Sequence, residues 1–252
     1  MYFAPPDMTV LDRVALVWFL FAWLGYGRLI HGMRSAPSIT TRMGEMRWLW
    51  MHAMLGRDSR IVDASLMGNT MHSATFFAST SMIALAALLG LLGRFDQTFA
   101  ALQDLEFTAK TSRMLLEGKL LLLILVFAQC FLKLTWALRQ MNYCLAMIGA
   151  APQRPARGMR DDIAVHTGRL LSLAISSFNA GIRGYYFALA ALAWILGPLA
   201  LFTVTTGIVA MLLWRQFGSA TASEIRLSHA AYLGTDPALP PAAAETALGS
   251  PV

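Results

Sequence analysis

The segment that most constrains this chain runs from Glu45 to Gly93 and changes its character partway along. It begins with charged residues and tryptophans, carries four charges between Arg57 and Asp63, and becomes continuously apolar near Phe76. A helix with this pattern passes from water into lipid, because a bilayer core is spanned by about 20 apolar helical residues. The segment therefore predicts an integral membrane protein.

The same segment is too long to be one straight membrane helix. An uninterrupted helix from Glu45 to Leu92 would be about 72 Å long, more than twice the hydrocarbon thickness of a bilayer. Helices bend at glycine more readily than at most residues. We therefore expect an amphipathic helix that leads into the second span, with a bend at Gly56 or Gly68.

The composition excludes an ordinary soluble domain. Of the 252 residues, 57% are hydrophobic and only 13% are charged, whereas about a quarter charged is usual for soluble domains. The formal net charge of +6 comes mostly from arginines that flank the apolar segments. Such arginines are typical of orientation signals and lipid-headgroup contacts, so we expect no nucleic-acid partner.

Three apolar segments are long enough to span a bilayer: Val10–Ile30, Asn69–Leu92 and Leu115–Leu138. The segment from Tyr185 to Trp214 is either one tilted span with a kink or two helices that turn at Gly197–Pro198. The predicted fold class is therefore an all-α polytopic helical membrane protein with four or five membrane-spanning helices. Residues 1–233 are expected to form a single helical membrane domain, and the Pro/Ala-rich residues 234–252 a disordered tail.

The distribution of basic residues predicts the orientation in the membrane. Arginine is frequent in the loops after the first and third spans and rarer in the loop between the second and third. Because basic loops stay in the cytoplasm, we expect the Arg-rich loops inside and the N-terminus outside.

Three strings resemble a family known as domain of unknown function 599: RWLWMHAMLGRDSRIVDASLMGNTMHSATFFASTSMIALAALLGLLG, KLLLLILVFAQCFLKLTWALRQMNYCLAMIGAAP and SFNAGIRGYYFALAALAWILGP. Together they cover most of the chain between Met46 and Pro198. The resemblance implies a multi-spanning membrane protein of bacteria, with relatives in plants, so the expected location is the bacterial inner membrane. It implies no activity and adds no catalytic residue.

Enzyme motifs are missing from the chain. There is no G-x-S-x-G, H-E-x-x-H or P-loop pattern, and the five histidines and two cysteines are scattered. We therefore expect a protein that is not an enzyme, with no cofactor and no metal site.

A polar stripe is predicted on the second membrane helix. If the helix is continuous, projection at 100° per residue places six residues within an arc of about 120°: Arg57, Arg60, Gly68, His72, Thr75 and Ser79. The sharper interpretation is a polar path into the membrane lined by His72, Thr75 and Ser79. The plainer one is that the hydroxyls bond their own helix or bridge to another, with the arginines in water.

The charges between Arg57 and Asp63 carry two further hypotheses. Arg60 and Asp63 have the i, i+3 spacing of a helical ion pair, which would fix the bend. Arg57 and Arg60 also suit an anion or a lipid phosphate, because a guanidinium binds phosphate through two parallel hydrogen bonds.

Two later helices add polar residues next to apolar ones. Gln129 lies deep in the third span, where an amide needs a partner, and we assign it to the path lining. Asn179 and Arg183 are spaced i, i+4 directly before an apolar run, and they are the first candidates for binding a solute. The plainer interpretation of their helix is an amphipathic helix at the membrane surface.

These observations favour a non-enzymatic oligomer that passes or senses a small, anionic solute. The alternative is an accessory or scaffold protein that binds another membrane component. The expected partners are the bilayer and its anionic headgroups, further copies of the chain and another membrane protein.

Overall fold

The computed structural model of the chain describes residues 8–32, 38–103 and 112–233. The predicted tail at 234–252 lies outside the described residues. Those described form helices without a strand, with these bounds: α1 Val10–Gly32, α2 Ile39–Met54, α3 Ile61–Gly93, α4 Phe95–Gln103, α5 Arg113–Ala150, α6 Arg157–Ala193, α7 Pro198–Phe217 and α8 Ala220–Leu233.

Among the described residues, four stretches are long and apolar enough to cross a membrane: α1, α3, α5 and a stretch that begins with α7. The prediction of an all-α, polytopic helical protein is confirmed. Helices α3, α5 and α6 have 33, 38 and 37 residues, or about 50–57 Å at 1.5 Å per residue. All three therefore extend beyond a hydrocarbon layer about 30 Å thick.

The amphipathic helix and the second span are separate helices. Helix α2 ends at Met54 and α3 begins at Ile61, and the amide of Gly56 closes a turn on the carbonyl of Ala53. The interruption expected near Gly56 is confirmed. At Gly68 the helix is not interrupted, since α3 runs through it; a single helical glycine costs only about 1 kcal/mol.

Two hydrophobic clusters divide the helices along their length. The first joins α1, α7 and the facing parts of α5 and α6 around Phe19, Val126 and Phe187. The second joins α2, the start of α3, the end of α5 and the start of α6 around Met51, Met67 and others. We call the first cluster the membrane core and the second the projecting lobe. Helices α5 and α6 run through both clusters and are longer than a bilayer is thick, so the two clusters cannot both lie within it.

Glycines let α5 and α6 approach closely within the membrane core. A Cβ added at Gly181 would lie 2.6 Å from Cγ of Leu134, and one at Gly184 would overlap the sulfur of Cys130. Small residues of this kind are typical of membrane helix interfaces, where backbones pack against each other. The spacing of Gly181 and Gly184 thus holds α6 against α5.

The chain turns between α6 and α7, as the two-helix alternative predicted. Helix α6 ends at Ala193 and α7 begins at Pro198, with Gly197 at φ 138°, a conformation that favours glycine. The indole of Trp194 donates a 2.9 Å hydrogen bond to Asp12 at the start of α1. The α6–α7 turn and the beginning of α1 therefore lie at the same end of the membrane core.

Candidate functional site

A cleft of about 480 Å³ opens on α6 between α1 and α5. We call it the cationic cleft, and it is lined by Trp23, Leu24, Gly27, Arg28, Gln129, Lys133, Ala180, Arg183, Gly184 and Phe187. Its size falls within the usual 300–1,000 Å³ of small-ligand sites.

The packing of the three helices creates the cleft. Helix α5 packs along α6, and α1 touches α6 and α7 but makes almost no contact with α5. Gly184 and Phe187 of α6 are largely buried and form part of the cleft lining. Gly27 adds little bulk on the α1 side, where a Cβ would lie 3.9 Å from Nη2 of Arg183. The cleft is thus a gap between α1 and α5 above α6.

The charges that line the cleft have one sign. Arg28, Lys133 and Arg183 contribute three cations, and the amide of Gln129 adds a donor and an acceptor. None of the described residues that line the cleft is acidic. Within the described residues these three cations have no ion pair. Such a set of donors is chemically suited to an anion.

Arg183 is the more deeply placed of the two arginines. It is half-buried, whereas Arg28 and Lys133 are exposed at the mouth, and its guanidinium carbon lies 5.4 Å from the centre of the Tyr26 ring. A cation over an aromatic face keeps its charge and its donors. Tyr26 therefore positions Arg183 and leaves its N–H groups for a ligand.

The cleft lies near one end of the membrane core. Arg28 is about 27 Å along α1 from Val10, and Gln129 is about 24 Å along α5 from Arg113. Both distances approach the thickness of a hydrocarbon layer. The cleft therefore lies about one hydrocarbon thickness along these helices from Val10 and Arg113, at the end opposite Trp194 and next to the projecting lobe.

The polar face of α6 continues from the cleft towards the projecting lobe. Asn179 is half-buried one turn before Arg183. Further along, Arg47 of α2 donates a 3.2 Å hydrogen bond to Ser172. Burial lowers the pKa of Arg47 from 12.5 to about 10, so this side chain stays charged at neutral pH. Polar and basic groups thus extend from the cleft along α6.

The predicted lining on α3 is wrong as an interior path through one copy of the chain, whereas a path shared between copies stays a prediction. His72, Thr75 and Ser79 are exposed on the outside of the helix, while Ala74, Ala78 and others form its buried face. Helical periodicity placed the three residues correctly on one face. However, α5 packs against the opposite face, so they line no interior path.

The ion pair expected between Arg60 and Asp63 is also wrong, because both residues have other partners. Arg57 donates to Asp63 at 2.5 Å, and Trp50 donates to the same carboxylate at 2.7 Å. Arg60 instead donates to the carbonyls of Ile148, Ala151 and Pro152 at the end of α5. Contacts between helices therefore replace the local pair.

Arg57 also borders a second groove, of about 530 Å³, with Trp50, Ser59, Val62, Leu66 and Thr70. The bond to Asp63 already compensates its charge. The second groove therefore offers an anion less uncompensated charge than the cationic cleft does.

Of the residues predicted to act together, the structure joins Gln129 and Arg183 in one cleft. Sequence reasoning missed Arg28 and Lys133, which were not among the residues predicted to form a site. One signal was available. Arg28 and Lys133 lie near the C-terminal ends of their apolar segments and Arg183 at the N-terminal end of its own, so antiparallel packing brings all three to the same level.

Comparison with known proteins identifies the family to which the chain belongs. No curated protein and no solved structure matches the chain. The family model described as "Protein of unknown function, DUF599" matches residues 14–221. This match covers most of the chain and includes every residue that lines the cationic cleft, so the chain belongs to that family of proteins of unknown function, as its sequence blocks predicted.

Proposed function

We propose that the protein is a non-enzymatic membrane protein that binds a phosphate-bearing anion in the cationic cleft and so senses it. The single observation that carries the proposal is three cations, Arg28, Lys133 and Arg183, around a cleft whose described lining holds no carboxylate. Charged groups beside apolar surface are costly, and an anion would offset that cost.

Binding is better supported than passage through one copy of the chain. A solute that continued along α6 from the cleft would meet buried apolar side chains of the membrane core, among them Phe19, Phe187 and Trp194. These fill the space between α1, α5 and α6. Binding in the cleft therefore needs no rearrangement of the core, whereas transport would.

The proposal includes the location expected from the family resemblance and the orientation expected from the basic loops. We place the protein in the inner membrane of a bacterium, with the N-terminus outside and the Arg-rich loops in the cytoplasm. In that orientation the cationic cleft faces the cytoplasmic leaflet, where anionic headgroups and soluble phosphate compounds both meet it.

The experiment measures anion binding by the purified, detergent-solubilised protein. Inorganic phosphate is titrated by calorimetry, and retention of phosphatidylglycerol against phosphatidylcholine is measured by native mass spectrometry. We expect Arg183→Gln and Lys133→Gln to weaken binding about tenfold or more, since hydrogen bonds to charged groups contribute about 1.5–3 kcal/mol. Arg139→Gln, an exposed residue of α5 outside the cleft, is the matched control.

The two probes distinguish the source of the anion. Binding of free phosphate that depends on Arg183 indicates a soluble ligand, and selective retention of phosphatidylglycerol indicates a lipid headgroup. If Arg183→Gln and Arg139→Gln leave both kinds of binding equally unchanged, the proposal is wrong.

The second candidate is an accessory protein for another membrane component. The observation that favours it is the exposed outer face of α3, which carries polar side chains in a membrane-spanning helix. Stable co-purification with one other membrane protein, together with the absence of anion binding, would favour this candidate.

A further inference from the structure

The cationic cleft is open on the side away from α6. Among the described helices, α6 is the one that packs substantially on both α1 and α5, whereas α7 packs on α1 and α3 packs on α5. Helices α1 and α5 are both long and apolar enough to cross a membrane. The gap between them therefore gives access to the cleft from the bilayer as well as from water.

The walls of this gap are apolar where they face outwards. Exposed apolar side chains follow both helices: Val14, Val17, Phe21 and Leu24 on α1, and Leu121, Leu125 and Leu132 on α5. Exposed aliphatic and aromatic side chains along a membrane-spanning helix are typical of a surface that contacts acyl chains. Lipid chains are therefore the natural neighbours of the cleft opening.

The cleft lining changes its polarity along the helices. Each of the three helices contributes a cation and a second residue four positions away: Leu24 with Arg28, Gln129 with Lys133, and Phe187 with Arg183. The end of α5 and the start of α6 belong to the projecting lobe, and Nζ of Lys119 near the start of α5 lies 5.6 Å from the centre of the Trp194 ring at the opposite end. Helices α1 and α5 thus run towards the lobe and α6 runs away from it. In each pair the cation is about 6 Å nearer the lobe, so the cleft is cationic there and mostly apolar one turn deeper.

This order of groups matches a glycerophospholipid better than a free anion. In such a lipid the phosphate is followed by the ester carbonyls and then by the acyl chains. A soluble phosphate satisfies the three cations but leaves the deeper lining, with Trp23, Leu24 and Phe187, in contact with water. An acyl chain covers that surface, and the burial of apolar surface is favourable.

The amide of Gln129 supports the same ligand. Gln129 is half-buried, lines the cleft one turn deeper than Lys133, and has no hydrogen-bond partner among the described residues. An amide beside hydrocarbon is costly without a partner. At this depth its NH₂ group is placed to donate to an ester carbonyl of a lipid whose phosphate is bound by the cations.

We infer that the ligand of the cationic cleft is an anionic glycerophospholipid, which enters from the bilayer between α1 and α5. Its phosphate lies at the three cations, one ester carbonyl accepts from Gln129, and an acyl chain covers Trp23, Leu24 and Phe187. The inference rests on the proposed function and names the class of its ligand. The protein then responds to the anionic lipids of the leaflet around it, and not to a soluble compound.

Calorimetric titration of the purified, full-length protein in detergent compares a lipid with its own headgroup. The probes are dioctanoyl phosphatidylglycerol, dioctanoyl phosphatidylcholine and glycerophosphoglycerol, which is the headgroup of phosphatidylglycerol without its acyl chains. Because buried methylene groups add to affinity, we expect phosphatidylglycerol to bind at least about tenfold more tightly than glycerophosphoglycerol. It should also bind more tightly than phosphatidylcholine, and Arg183→Gln should weaken its binding about tenfold or more, with Arg139→Gln as the control.

Two further variants test the deeper part of the cleft. Leu24 and Leu189 are 52% and 60% exposed, but only Leu24 lines the cleft. We expect Leu24→Asn to weaken binding of phosphatidylglycerol at least about threefold more than Leu189→Asn does, because it places an amide against the acyl chain. Gln129→Leu should weaken binding of the diester lipid about twofold to tenfold, the effect of one hydrogen bond. It should have little effect on a dialkyl ether analogue, which has no ester carbonyl.

The outcomes separate this inference from the proposed function. If glycerophosphoglycerol binds as tightly as phosphatidylglycerol, and both depend on Arg183, the lipid is wrong and an anion-binding protein remains. Equal binding of phosphatidylglycerol by Leu24→Asn and Leu189→Asn, or equal losses of the diester and ether lipids in Gln129→Leu, would also overturn the inference. If neither lipid, headgroup nor inorganic phosphate binds in a manner that depends on Arg183, the inference and the proposed function are both wrong.

Discussion

The guanidinium of Arg183 lies against the ring of Tyr26, with 5.4 Å between the guanidinium carbon and the ring centre. This contact connects the polar face of α6 with the last turns of α1, directly before Gly27 at the cationic cleft. Tyr26 is buried, so its position is fixed by packing. The ring therefore sets where the positive charge of Arg183 points.

Replacing Tyr26 should weaken anion binding without removing any charge. Tyr26→Leu loses the aromatic face, and we expect a loss of about 0.5–2 kcal/mol in binding free energy for phosphate, the usual range for a cation over a ring. Tyr26→Phe retains the face and should bind like wild type. Calorimetric titration measures both variants. Equal affinities for Tyr26→Leu and wild type would show that the ring does not position Arg183.

The close contact of α5 and α6 gives a prediction about stability. Gly184→Ala adds a methyl group that would overlap the sulfur of Cys130, and overpacking of this kind costs about 1–3 kcal/mol in the free energy of unfolding. Cys130→Ala removes the sulfur, so the double variant should recover most of that loss. Gly118→Ala is the control, because nothing lies within 4 Å of a Cβ there.

Thermal unfolding in detergent, followed by intrinsic fluorescence, compares these variants. A Gly184→Ala protein as stable as Gly118→Ala would contradict the close approach of the two helices. A double variant no more stable than Gly184→Ala would show that Cys130 is not the obstacle.

The helical architecture was predictable because hydrophobic length and the cost of exposed backbone in lipid leave few alternatives. The interruption at Gly56 and the turn at Gly197 also have local causes that the sequence displays. Which helix faces pack against each other, by contrast, has no local cause in the sequence. Periodicity gave the stripe of His72, Thr75 and Ser79, but only the position of α5 decides whether that stripe points inwards.

The errors at the charge cluster have a similar reason. Spacing alone favoured Arg60 with Asp63, since i, i+3 residues meet on one helix. In the structure Arg60 reaches three carbonyls at the end of α5, residues some 90 positions away. Contacts between distant segments of this kind cannot be derived from one helix.

The two ion pairs at this end of the protein should differ in strength. Asp63 is fully buried and its partner Arg57 is about half exposed, whereas Arg154 and Asp58 are 76% and 82% exposed. We expect Arg57→Ala to cost about 1.5–3 kcal/mol in the free energy of unfolding, because a buried carboxylate loses a charged donor. Arg154→Ala should change it by less than about 1 kcal/mol.

A double-mutant cycle separates the pair from general packing. Asp63→Asn combined with Arg57→Ala should cost less than the sum of the single changes, since each removes the same interaction. Additive losses would mean that the contact of Arg57 with Asp63 contributes nothing, and equal losses for Arg57→Ala and Arg154→Ala would contradict the role of burial.

The last prediction concerns the opposite end of the membrane core, where Asp12 accepts from the Trp194 indole at 2.9 Å and from the Thr9 hydroxyl at 2.6 Å. Asp12 is 4% exposed, so its hydrogen bonds cannot be replaced by water without opening the packing. The carboxylate both caps the start of α1 and holds the α6–α7 turn against it. Loss of the indole donor should therefore destabilise both the start of α1 and the α6–α7 turn.

Trp194→Phe keeps an aromatic ring but removes that donor, together with part of the buried indole. We expect it to lower the free energy of unfolding by about 1.5–3 kcal/mol, the usual contribution of a hydrogen bond to a charged group. Trp214→Phe, at a residue that is 62% exposed, is the matched control and should change little. Thermal unfolding of both variants measures the difference. If Trp194→Phe unfolds at the same temperature as Trp214→Phe, the α6–α7 turn is held by apolar packing alone, and the bond to Asp12 does not stabilise the fold.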